Sequence, residues 1–145
     1  MSKETETGGP VLKIERSSIH DGQGLRTVVF FKGCPLDCLW CSTPESKEFD
    51  LEKGYDPDLC TACGRCVEAC PENAIRFSDD HLSVQTDKSK CKKCFRCFQA
   101  CSSHAVKKYG AFLTVPEVME EIKKDEIFFF HSRGGITLSG GEPLC

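Results

Sequence analysis

Three cysteines, Cys34, Cys38 and Cys41, stand in the run Cys-Pro-Leu-Asp-Cys-Leu-Trp-Cys. A four-iron cluster normally takes one thiolate per iron. Three thiolates in one tight loop, with no fourth nearby, leave one iron open. An open coordination position separates a reactive metal centre from a closed structural one; the rule is argued for zinc, and its logic carries to iron. Eight more cysteines fall in two denser runs, and the twelfth, Cys145, has no partner spacing. The pattern predicts one reactive cluster and two closed ones.

The two dense runs are copies of one another. Cys60-Thr-Ala-Cys63-Gly-Arg-Cys66-Val-Glu-Ala-Cys70 is answered by Cys91-Lys-Lys-Cys94-Phe-Arg-Cys97-Phe-Gln-Ala-Cys101. Their tails match too, Asn73-Ala74-Ile75 against His104-Ala105-Val106. This is the bacterial ferredoxin spacing C-x2-C-x2-C-x3-C, in which the last cysteine of each run serves the other cluster. The assignment is Cys60, Cys63, Cys66 and Cys101 for one cluster, and Cys91, Cys94, Cys97 and Cys70 for the other. Pro71 follows Cys70 as the motif wants, whereas Ser102 follows Cys101. The competing reading is a four-cysteine zinc knuckle, which uses two separated C-x2-C pairs. The two clusters either relay electrons or hold a small domain together by coupling metal binding to folding.

Elements must position these residues. Thr27-Val28-Val29-Phe30-Phe31 is an unbroken β-branched and aromatic run, the look of a strand buried on both faces of a parallel sheet. The three-cysteine loop follows at once, at the carboxyl end where parallel sheets place their chemistry. Residues 11–15 read as a short opening strand, and residues 1–10 as a flexible tail. Residues 43–55 are polar and linker-like. Within the repeat, residues 75–77 and 82–84 read as a hairpin across Ser78-Asp79-Asp80. Thr114-Val115-Pro116-Glu117 is a capping-box helix start. Val115, Val118, Met119 and Ile122 follow at helical spacing on one inward face. Gly135-Ile136-Thr137-Leu138 then reads as a strand leading into Gly140-Gly141-Glu142-Pro143. Strand, helix, strand is a βαβ unit with a cluster domain spliced into its first connection. The boundaries are 11–55, 56–108 for the insert, and 109–145.

Bulk composition narrows the setting. At 39% apolar and 28% charged, the 145 residues read as soluble and globular. A net charge of −3 gives no field for nucleic acid or anionic lipid. No run is long and apolar enough for a membrane span, and the polar start shows no signal peptide. A cytoplasmic cysteine-rich chain favours metal sites over disulfides.

With its surroundings the three-cysteine loop becomes specific. Gly22-x-Gly24-x-Arg26-x3-Phe30-x2-Gly33-Cys34-x3-Cys38-x-Trp40-Cys41 resembles the signature of radical S-adenosylmethionine (SAM) activating enzymes. Residues 17–22 before the strand and Cys41-Ser-Thr-Pro44-Glu45 after the loop resemble the glycyl-radical enzyme activases. The eight-cysteine insert is similar to that of the larger activases, such as those serving glycerol dehydratase or benzylsuccinate synthase. The resemblance covers residues 14–144. It implies an α/β fold: the start of a radical SAM partial (β/α) barrel, carrying a bacterial-ferredoxin-like α+β insert.

It also implies a reaction. SAM would chelate the open iron of the Cys34, Cys38 and Cys41 cluster, and one electron would break its carbon–sulfur bond to give a 5′-deoxyadenosyl radical. That radical would take hydrogen from a backbone glycine of a partner glycyl-radical enzyme. Glycine suits because no Cβ blocks the approach. A flavodoxin or ferredoxin-type reductant is expected to supply the electron. Gly140, Gly141 and Glu142 match the family's loop for the SAM amino group, with Glu142 either bonding that group or only ordering the loop. Trp40 stands where the family has an aromatic near adenine; plain packing over the cluster is the alternative.

Other residues have plainer readings. His20 and Asp21 are local structure, Phe128, Phe129 and Phe130 fill core, Cys145 is a bystander, and Arg133 has no account. Gln23 replaces a usual proline. Relatives of this family continue past the glycine loop, so the chain reads as an N-terminal fragment, inactive alone because one βαβ unit buries little apolar surface. Two rival functions remain: a two-cluster ferredoxin-type electron carrier, and a radical SAM enzyme acting on a small molecule.

Overall fold

The computed structural model describes residues 7–145. In chain order the strands are β1 (Gly8–Ser18), β2 (Arg26–Phe31), β3 (Glu52–Tyr55), β4 (Ile75–Phe77), β5 (Val84–Thr86), β6 (Val106–Tyr109), β7 (Ala111–Thr114) and β8 (Gly135–Gly140). The helices are α1 (Arg65–Glu68), α2 (Arg96–Ala100), α3 (Val115–Lys123) and α4 (Glu126–Ser132). The chain divides into two compact units, one of residues up to Leu51 with Gly110–Cys145, the other Glu52–Tyr109.

The first unit is a four-stranded sheet in the order β7-β1-β2-β8. β1 runs antiparallel to both neighbours, and β2 runs parallel to β8, with Phe31 opposite Gly140. Thr27, Val28 and Val29 are almost fully buried, as their β-branched run demands. One face of the sheet packs Val11 and Val29 against Ile122 of α3, with Ile14, Phe31, Leu113, Val118 and Phe129 around them. The capping box that starts α3 is complete: Thr114 N–H donates to Glu117 Oε2 at 2.7 Å, and Glu117 N–H to Thr114 Oγ1 at 3.4 Å. It turns α3 back over the sheet.

α4 is fixed by charge. Asp125, just before it, is 2% exposed and receives Arg16 Nε at 2.9 and 3.0 Å, Arg16 Nη2 at 2.5 Å and Thr27 Oγ1 at 2.6 Å. The Arg16 hydrogen bonds hold the Asp125 carboxyl below its usual range; burial opposes them and the Thr27 hydroxyl helps. A buried carboxylate needs such partners. Arg133 ends α4 in the left-handed region at φ 56°, which answers its place in the sequence.

The second unit is built on the repeat. α1 and α2 carry the third cysteine of each run, and Cys66 and Cys97 are buried with Ile75, Val84 and Val106. The left-handed residues repeat as well: Ala62, Gly64 and Asn73 are matched by Lys93, Phe95 and His104 at the offset of the cysteine runs. The same spacing has produced the same backbone twice. Glu52 pairs with Tyr109, so the unit begins and ends on adjacent strands.

Several expectations are corrected. Gly8, Gly9 and Pro10, read as tail, pair with β7; residues 1–6 of that tail lie outside the described residues. The linker-like stretch contains β3, whose partner β6 is far along the chain and invisible to local pattern. The hairpin's second strand is Val84–Thr86 rather than 82–84, because residues 78–83 are spent on a turn knit by Ser78, and Leu82 is exposed. Of the three phenylalanines only Phe129 joins the core, while Phe128 and Phe130 are exposed. Consecutive helical residues cannot share one face. Val115 and Met119 stay partly exposed on α3. Among the described residues, no helix is long and apolar enough to cross a membrane.

Candidate metal centres and the glycine loop

The reactive-loop candidates start where β2 ends. Cys34 is half-buried and Cys38 and Cys41 are exposed. The loop's first turn is pinned from behind: Gly33 N–H donates to Ser46 O at 2.7 Å and Cys34 N–H to Lys47 O at 2.9 Å. Lys32 is buried, and its Nζ donates to Glu45 O at 2.8 Å. The far side of the loop stays open, and Trp40 is 82% exposed. Its indole is therefore presented outward, not packed into the core.

The glycine loop stands beside it. β2 and β8 are parallel, so both loops leave the same sheet edge, the place where such sheets bind ligands. Gly141 N–H donates to Phe31 O at 2.9 Å, and Glu142 N–H donates to Gly33 O at 3.0 Å. A Cβ on Gly141 would stand 2.0 Å from Gly33 O, and one on Gly140, whose φ is +92°, would stand 2.4 Å from Phe31 O. Only glycine allows that approach. The Glu142 carboxylate accepts Leu144 N–H at 3.1 Å, so it orders its own turn. Two motifs a hundred residues apart in sequence thus share one backbone junction.

At the other end of β2, Arg26 Nε donates to Thr137 Oγ1 at 2.6 Å, and Thr137 Oγ1 donates to Asp21 O at 2.9 Å. The Ser18 hydroxyl donates to the Asp21 carboxylate. Asp21 therefore has a local structural role, and Gln23 O accepts Arg26 Nη1 at 3.4 Å. An apolar hollow of about 680 Å³ lies between the sheet and α3, walled by Val11, Phe31, Val118, Ile122 and Leu138. It reaches Gly33 and Glu142 but not the side chains of the three-cysteine loop.

In the second unit, Cys60, Cys63, Cys66 and Cys101 line one small cavity. Burial pushes the Cys66 thiol up, and the neighbouring Cys101, Cys60 and Cys97 add to it; burial pushes Cys97 up too, opposed by Lys53 and aided by Cys91. Backbone N–H groups point at the sulfurs: Ala62 at Cys60 (3.4 Å), Ala74 at Cys70 (3.3 Å) and Val106 at Cys101 (3.4 Å). Hydrogen bonds to sulfur are a main lever on iron–sulfur potentials. The Cys63 thiol is lowered, chiefly by the Arg65 N–H. Ser102, where a proline is usual, accepts Arg65 Nη1 at 3.1 Å, a contact between the two runs. No three His, Cys, Asp or Glu side chains among the described residues are grouped to hold a single metal ion. What Cys60, Cys63, Cys66 and Cys101 share is a cavity wall. The donor set and its N–H···S bonds fit an iron–sulfur cluster.

The comparisons with known proteins agree. Residues 52–102 match the 4Fe-4S dicluster domain. Over 99% of its length the chain is 46% identical to the isethionate sulfite-lyase activating enzyme of Oleidesulfovibrio alaskensis, covering 47% of that protein. It is 47% identical to the (2S)-3-sulfopropanediol sulfolyase activating enzyme of Bilophila wadsworthia, with 94% of the chain and 46% of the relative covered. The relatives it matches are glycyl-radical enzyme activating enzymes. The benzylsuccinate synthase activating enzyme of Thauera aromatica is 45% identical, over 92% of the chain and 41% of its own length. The chain thus spans about half the length of the curated relatives it matches. Its architecture is mixed α/β, and the dicluster match falls on the repeat-bearing segment.

Proposed function

We propose that this chain carries the cluster- and SAM-binding part of a radical SAM activase that prepares a partner glycyl-radical enzyme. The observation that carries the reading is the junction of the cysteine and glycine loops at the end of β2 and β8. Cys34, Cys38 and Cys41 would hold a [4Fe-4S] cluster, and Gly140, Gly141 and Glu142 would bring backbone and carboxylate to the SAM amino group. When bound, this pair supplies a one-electron reduction of the sulfonium and an acceptor for a hydrogen atom. The chain's residues do the positioning: Ser46 and Lys47 fix the first cysteine, and Phe31 and Gly33 fix the glycine loop against it. Trp40, turned outward beside Cys41, offers an aromatic face to the adenine. The β7-β1-β2-β8 sheet with its α3–α4 crossover is the beginning of a partial (β/α) barrel.

The insert holds two further [4Fe-4S] clusters, one on Cys60, Cys63, Cys66 and Cys101, the other on Cys91, Cys94, Cys97 and Cys70. Bound there, they would pass electrons from a flavodoxin or ferredoxin-type donor, since the chemistry consumes one. The protein substrate is a glycine of a glycyl-radical enzyme.

Anaerobic reconstitution tests the reading. The chain should load about twelve irons, four per cluster. Replacing Cys34, Cys38 and Cys41 together by alanine should remove about four of them. Added SAM should perturb the electron paramagnetic resonance (EPR) signal of that cluster alone. If SAM leaves every signal unchanged, the chain is an electron carrier and the activase reading falls.

A further inference from the structure

Asp37 lies inside the three-cysteine loop, and its carboxylate accepts a hydrogen bond from Lys47 Nζ. Lys47 itself lies outside the loop, just past the 3₁₀ turn Pro44–Ser46. Its carbonyl receives the N–H of Cys34 at 2.9 Å. The segment bearing it is anchored, because Ser46 is buried and its hydroxyl donates to Thr43 O at 2.6 Å. Lys47 therefore grips the loop twice, by backbone at the first ligand and by side chain at the middle.

We propose that Lys47 is a positioning and tuning residue for the cluster on Cys34, Cys38 and Cys41: it clasps the loop through Asp37 and sets a positive charge against the loop that carries the ligands, which eases reduction. The proposal rests on the reading above that this loop holds a reactive cluster. Reduction adds one electron, hence one negative charge, which a neighbouring cation favours and a neighbouring carboxylate opposes. The Asp37 side chain is 90% exposed and the Lys47 side chain 35%, so solvent screens the carboxylate more than the ammonium. The sequence shows the device only in hindsight: a lysine six residues after the last ligand, with an acid inside the loop.

A surface ion pair that merely braces the loop makes a different forecast. Lys47→Gln and Asp37→Asn break the same contact, so a brace predicts like effects, whereas tuning predicts opposite ones. The assay is an EPR-monitored redox titration of the anaerobically reconstituted chain, with a low-potential chemical reductant as electron source. The relevant signal is the difference from the triple Cys34, Cys38, Cys41 alanine variant. At a fixed potential, K47Q should lower the reduced-to-oxidised ratio about threefold and D37N should raise it about twofold, sizes suited to partly screened charges. K47R, keeping the charge, should match the parent. Shifts of the same sign, or no shift in either, overturn the proposal. Should K47Q load iron poorly, D37N keeps the ammonium and decides alone: a ratio that stays put or falls overturns it. The triple variant's iron content is read first; if it loses none, the cluster reading itself falls and takes this one with it.

Discussion

Gly141→Ala is the sharpest probe of the junction between the two loops. Its Cβ would stand 2.0 Å from the Gly33 carbonyl oxygen and 2.7 Å from the carbonyl carbon, and both are backbone atoms with no rotamer to yield. To reach even 3.0 Å from that oxygen, one loop must retreat by about 1 Å, which overpacking of this kind forces on a backbone. The retreat strains two hydrogen bonds, Gly141 N–H to Phe31 O at 2.9 Å and Glu142 N–H to Gly33 O at 3.0 Å. Overpacking costs about 1–3 kcal/mol, and each weakened hydrogen bond about 1 kcal/mol. Because the loops are only half-buried and can relax, a total of about 2–4 kcal/mol is expected, a large share of the roughly 5–15 kcal/mol that holds a domain together. SAM affinity should fall about tenfold or more, since a tenfold change needs only about 1.4 kcal/mol. Gly9→Ala is the control: nothing lies within 4 Å of its added Cβ, so it should stay within about 0.5 kcal/mol of the parent. Anaerobic urea melts read stability, and SAM titration of the cluster EPR signal reads affinity. If Gly141→Ala matches Gly9→Ala in both, the argument that a backbone junction sets the loop geometry is refuted.

Asp125 gives a pH test. Arg16 holds its folded carboxyl below the ordinary range, so its contribution is complete above the unfolded value of about 3.9 and drains as pH falls through the lower folded value. Urea midpoints measured from neutral to acid pH should drop less steeply for Asp125→Asn, and Asp125→Ala should cost about 2–3 kcal/mol at neutral pH by orphaning the buried Thr27 hydroxyl and the Arg16 guanidinium. Cys101→Ala should abolish the cluster of the first dense run while leaving Cys91, Cys94 and Cys97 to a spectrally distinct one; loss of the second run's cluster alone would reverse the crossed assignment. Lys32→Met should speed hydrogen exchange at the Gly33 and Cys34 amides, because the 43–47 segment that accepts them loses its buried anchor on Glu45 O. Unchanged exchange there would mean Lys32 does not hold that segment.

Spacing determined a great deal by itself. The cysteine runs, their repeat and the capping box of α3 are local patterns, and each is a short-range constraint that the backbone obeys where it stands. The matching left-handed residues at 62 and 93, 64 and 95, 73 and 104 show how closely one spacing writes one loop. The buried strand β2 was equally legible, because Thr27, Val28 and Val29 form an unbroken β-branched run with no charged residue alternating through it. Local pattern was silent wherever the partner lay far along the chain. β3 finds β6 across the whole insert, Asp125 finds Arg16 and Thr27 from the opposite end of the unit, and Pro10 pairs with the edge strand β7 although nothing nearby announces a strand. The site divides along the same line. Residue types named the candidate ligands and the glycine loop, since metal and ligand chemistry restrict which side chains could serve. That the loops touch through Gly33, Phe31 and Gly141, and that Lys47 reaches Asp37, came only with the parallel pairing of β2 with β8 and the return of the 43–47 segment. Hydrogen bonds and charge act over a few ångströms of space, and folding alone decides which residues come that close.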